Sequence, residues 1–78
     1  MTPNRIKELR EKNNFTQQDL SDLLKNKNIS ATRVTIARYE AGSRVPNEDV
    51  WKALAQIFKV PVSYVKGKGI RGEEVENK

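Results

Sequence analysis

The chain has 78 residues, of which 36% are apolar and 32% charged, with a formal net charge of +5; this suits one small globule rather than a membrane span or a disordered tail. It contains no cysteine and no histidine, which excludes disulfide staples, thiolate or imidazole metal sites, and Ser-His or Cys-His catalysis. No apolar run approaches the ~18 residues of a transmembrane helix, and the N-terminal stretch has no signal-peptide apolar core, so the expected compartment is the cytoplasm.

The first helix is expected to open at Thr2-Pro3, with Thr2 as cap and Pro3 at a position whose missing N–H is not needed. Ile6 and Leu9 mark its apolar side among charged neighbours, and Asn13-Asn14 stops it, because Asn tolerates the left-handed conformation. Thr16-Gln17-Gln18-Asp19 reads as a capping sequence with Asp at its fourth position. Leu20, Leu23 and Leu24 continue that second helix, and Phe15 before it is expected to pack on Leu20 or on the first helix. Lys25-Asn26-Lys27-Asn28 is a polar turn, from which Ile29 can reach the core.

Ser30 or Thr32 caps the third helix. Ile36 and Tyr39, at i and i+3, face inward together, which leaves Arg33, Val34, Ala37 and Arg38 on the opposite side. Gly42 suits the residue just past the helix, where the backbone turns left-handed. Asn47 caps a fourth helix, whose first turn holds Glu48 and Asp49 at the positive end of the dipole. Trp51, Leu54, Ala55 and Phe58 form its inner stripe. Val60-Pro61-Val62 breaks it, and Val62 to Val65 is a final turn closing near Gly67. Residues 1–67 therefore read as one domain of five short helices, and residues 68–78 as a flexible tail or linker.

The positive charge is concentrated in the helical region. Residues 1–40 carry eight basic and five acidic side chains, residues 41–67 four and two, and residues 68–78 three and three. A compact basic domain without catalytic chemistry points to a polyanion. Two short helices joined by a polar turn, the second with an exposed polar face, form a helix-turn-helix pattern. Arg33 and Arg38 present two guanidinium forks, each able to bond guanine O6 and N7 in a major groove that admits one helix. Val34 and Ala37 are small and apolar, suited to thymine methyls, and Thr32 and Thr35 are candidates for phosphate.

Three strings make the pattern specific: Ile6-Lys7-Glu8-Leu9-Arg10-Glu11, Phe15-Thr16-Gln17-Gln18-Asp19-Leu20, and Thr35-Ile36-Ala37-Arg38-Tyr39-Glu40-Ala41-Gly42-Ser43-Arg44-Val45-Pro46. Together with the Leu54-Ala55 to Tyr64 segment they resemble the Cro/CI-type (XRE) helix-turn-helix family of phage repressors and bacterial regulators, from about Ile6 to Val65. The resemblance implies an all-α, compact five-helix, lambda-repressor-like domain with the helix-turn-helix at helices 2 and 3. It implies phosphate contacts from Gln17 and from the Gly42, Ser43 and Arg44 loop, a partly buried salt bridge between Arg10 and Glu40, and a dimer surface at Val62, Tyr64 and Val65. One departure stands out: the family's usual turn between helices 2 and 3 is about five residues shorter and often carries a Gly.

The expected function is thus sequence-specific binding of a double-stranded DNA operator as a transcriptional regulator, a repressor, by a homodimer. The rival is a protein-interaction module such as an antitoxin or adaptor. No enzyme activity is expected: Glu48/Asp49 and Glu73/Glu74 are sequence neighbours that do not face each other on a helix. No cofactor, metal or small-molecule ligand is expected either. Trp51, Phe15, Phe58 and Tyr39 are read as core.

Overall fold

The computed structural model describes residues 3–67. The Thr2 cap and the tail expected at residues 68–78 lie outside them. The described residues form five helices and no strand: α1 (Ile6–Lys12), α2 (Gln17–Lys25), α3 (Arg33–Ala41), α4 (Glu48–Phe58) and α5 (Val62–Val65). None of these helices is long and apolar enough to cross a membrane.

One core unites them. Its largest fully buried side chains are Ile6, Leu20, Leu24, Ile36, Leu54 and Val65, so every helix contributes at least one. Each such side chain stabilises by about 1.5–3 kcal/mol relative to exposure, a large share for so small a domain. The longest helix, α4, packs against α1, α2 and α5, while α3 packs on α2 and α1. Phe15 packs against the core, its ring stacked on Phe58 of α4 with centroids 6.5 Å apart.

The helix starts follow side-chain capping. Thr16 Oγ1 accepts the Asp19 N–H at 2.9 Å while Asp19 Oδ2 accepts the Thr16 N–H at 2.9 Å, a reciprocal capping box. Thr32 caps α3 through the Thr35 N–H and Asn47 caps α4 through the Val50 N–H, so the third helix starts after Thr32 and not after Ser30.

The first helix departs from expectation. Pro3 lies outside it, and α1 begins only at Ile6. Asn4 takes over at this end, its Oδ1 accepting the Ile6 N–H at 3.0 Å. Its Nδ2 donates 2.9 Å to the Tyr39 carbonyl.

The ends of α1 to α4 share one device, a left-handed residue whose successor bonds back across the last turn. Asn14, Asn28, Gly42 and Lys59 hold this position with φ of 61°, 64°, 82° and 60°. The closing bonds are Phe15 N–H to Arg10 O, Ile29 N–H to Leu24 O, Ser43 N–H to Arg38 O and Val60 N–H to Ala55 O. The second of these accounts for the lengthened connection. The chain continues past α2 in a turn, reverses at Asn28, and reaches Thr32 without regular structure. Ser21 Oγ donates to the Ala31 carbonyl and Lys27 Nζ donates to Gln56 Oε1, which fastens the connection to α2 and α4.

Candidate nucleic-acid interface

Helical geometry divides α3 cleanly. Ile36, Tyr39 and Glu40 are buried, whereas Arg33, Val34, Arg38 and Ala41 are exposed and Ala37 and Thr35 are half-buried. Val34 stands 56% exposed. Arg33, Val34, Ala37, Arg38 and Ala41 share one arc of the helix, so two guanidiniums flank a small apolar strip. The lengthened connection does not cover this arc.

The ion pairs among the described residues involve Arg10 and Lys66 as cations. Among the described residues, Arg33, Arg38 and Arg44 therefore face solvent without a carboxylate partner. Screened by water alone, such charges attract a polyanion.

Around this ridge lie polar groups. Thr32 and Thr35 hydroxyls are 3.2 Å apart at the start of α3. They share one hydrogen bond, which leaves one hydroxyl proton for an outside acceptor. Past the end of α3, Ser43 and Arg44 are exposed. Their N–H groups both donate to the Arg38 carbonyl, at 3.0 and 3.3 Å, so the turn that carries Arg44 is bonded to the residue that carries the last guanidinium of the ridge.

Gln17 opens α2, where the first N–H groups have no acceptor within the helix and favour an anion. Its Nε2 donates 3.1 Å to Glu40 Oε1, which leaves its second amide hydrogen and its carbonyl oxygen. Glu40 is engaged from the other side by Arg10, whose Nε donates at 2.7 Å to Glu40 Oε2 and whose Nη1 donates at 2.9 Å to the Phe15 carbonyl. Arg10 and Glu40 side chains are 11% and 6% exposed. The Arg10 charge offsets that of Glu40 beneath Gln17, while Asp19 holds an exposed carboxylate in the first turn of α2.

The expected dimer surface is corrected at one position. Val65 is completely buried, and its carbonyl accepts the Arg5 N–H at 2.9 Å; it belongs to the core of its own chain and cannot face a partner. Val62 and Tyr64 are half-buried. The Arg5 guanidinium lies over the Tyr64 ring, 4.2 Å from its centroid, and Nη1 donates to the Tyr64 carbonyl. Sequence reasoning missed Asn4, because its principal acceptor lies 35 residues away.

An all-helical domain in which α2 braces α3, and α3 holds an unpaired basic ridge toward solvent, is a helix-turn-helix DNA-binding domain. The family model described as helix-turn-helix matches residues 6–65, well over half of the chain. The chain belongs to that family, in its Cro/CI-type (XRE) form, whose members bind DNA as transcription regulators. No curated protein and no solved structure matches the chain.

Proposed function

We propose that residues 1–67 form a sequence-specific operator-binding domain that represses transcription as a homodimer. In this reading α3 lies in the major groove, where Arg33 and Arg38 bond guanine edges and Val34 and Ala37 approach thymine methyls. Thr32, Thr35, Ser43, Arg44 and the opening of α2 at Gln17 bond phosphates and set the register. The observation that carries it is the exposed α3 ridge with no acidic partner among the described residues. Repression asks only that occupancy exclude other proteins from the operator.

The homodimer follows from area, since one small module covers too little DNA for tight specific binding. Half-sites then lie about one helical turn, ~34 Å, apart. Val62 and Tyr64 on α5 remain the candidates for the contact between subunits.

Selection of bound duplexes from a random pool tests the whole reading. The expected result is a near-palindromic consensus, with log K falling against log salt at a slope of roughly −4 to −7 for a few phosphate contacts per subunit. A consensus with a single half-site removes the dimer. Retention of no duplex at low salt overturns the DNA reading and favours a protein partner.

A further inference from the structure

The segment Pro3–Arg5 stands outside the helix-turn-helix, yet it holds a buried polar side chain. Asn4 is 8% exposed. One side of its amide caps α1 at the Ile6 N–H, and the other donates to the Tyr39 carbonyl in the last turn of α3. That carbonyl also accepts the Gly42 N–H at 3.2 Å, one of the bonds that close the helix end. Asn4 and Gly42 thus share one acceptor.

Pro3 adds a steric clamp on the same turn. A Cβ at Gly42 would lie 2.7 Å from Pro3 Cγ, so the proline ring sits directly on the glycine. Pro3, Asn4, Gly42, Arg44 and Trp51 line one shallow hollow. The other end of the segment is fixed to α5 through the Arg5 N–H on the Val65 carbonyl.

We infer that Asn4 is a positioning residue for DNA binding: it holds the left-handed turn at Gly42, and through it the orientation of Arg38 and Arg44, without touching DNA itself. The chain of contacts is short. Asn4 fixes the Tyr39 carbonyl, the adjacent Arg38 carbonyl accepts from Ser43 and Arg44, and both arginine side chains spring from this turn. Without the amide, the Tyr39 carbonyl loses its only buried side-chain donor among the described residues, and the turn gains freedom that phosphate binding must remove again. The consequence for affinity rests on the DNA-binding reading; the effect on the turn does not.

The test uses the full chain with Asn4→Asp and Asn4→Ala. Asn4→Asp keeps an acceptor for the Ile6 N–H and replaces the donor to Tyr39 with a second oxygen, so it separates the two bonds if Asn4→Ala fails to fold. Amide hydrogen exchange at Ser43 and Arg44, referenced to Leu54 in the core, is expected to accelerate by about fivefold to tenfold. Duplex binding is expected to weaken, with a salt dependence shallower by about 0.9 for each phosphate that the protein no longer neutralises. A merely structural role would lower the melting temperature and leave that slope, measured on folded protein, unchanged.

Unchanged relative exchange at Ser43 and Arg44 overturns the inference whatever the protein binds. Accelerated exchange with an unaltered salt slope overturns the link to DNA affinity. If the unaltered chain binds no duplex, the DNA reading fails, and exchange alone decides whether Asn4 holds the turn.

Discussion

Arg10 Nε stands 2.7 Å from Glu40 Oε2, across a separation of 30 residues, with both side chains almost shielded from water. The pair ties α1 to the last turn of α3. Because Gln17 donates to the other oxygen of Glu40, three helices converge on one carboxylate. Breaking such a pair from one side leaves a buried charge without compensation, at a cost of about 3–5 kcal/mol. Arg10→Ala is therefore expected to lower the thermal midpoint sharply, read by circular dichroism. The double variant Arg10→Ala with Glu40→Gln should recover part of the loss, since no bare charge remains. An unchanged melting curve for Arg10→Ala would contradict the burial of this pair.

Arg33→Ala and Arg38→Ala test base reading. Each is exposed and unpaired among the described residues, so folding should be unaffected. Each should cost about 1–3 kcal/mol of discrimination at one base position. Repeating the duplex selection with each variant shows which position relaxes. Equal weakening on all sequences would reassign both side chains to phosphates.

Arg44→Ala should behave differently. A phosphate contact carries no sequence information, so binding should weaken uniformly and the salt slope should fall by about 0.9 per subunit. A change in consensus at one base would place Arg44 in the groove instead.

The left-handed helix ends offer a contrast in stability. Lys59 pays for φ of +60° with a side chain that prefers the right-handed region. Lys59→Gly should raise stability by about 0.5–1 kcal/mol, after the glycine's greater freedom in the unfolded chain is deducted. Gly42→Ala should lose at least ~1 kcal/mol, because it meets both an unfavourable φ and the Pro3 ring. Urea denaturation of the two variants measures both signs at once.

These two positions also show what the sequence made legible. Gly42 announces a left-handed turn because glycine is the residue for which that conformation carries no steric cost. Lys59 announces nothing: the break was visible only in Val60-Pro61, and the left-handed residue itself is imposed by the packing of α4 and α5. The Thr16–Asp19 box was readable because both of its bonds close within four residues. The partition of α3 into buried Ile36 and Tyr39 against exposed Arg33 and Arg38 followed from helical spacing alone. Asn4 was missed and Val65 misplaced for the opposite reason. One finds its acceptor 35 residues away, and the other is a core residue whose carbonyl is bonded by Arg5, from the far end of the domain. Local patterns expose caps and faces; they do not expose which distant surface closes over them.

The surplus residues between Lys25 and Thr32 are stored in a self-closed reversal at Asn28, and two side-chain clips, Ser21 to Ala31 and Lys27 to Gln56, return the chain to the cap of α3. The length of the connection is thereby absorbed against α2 and α4 before the chain reaches Thr32, so the start of α3 is set by its own cap and by these two clips rather than by the number of residues that precede it.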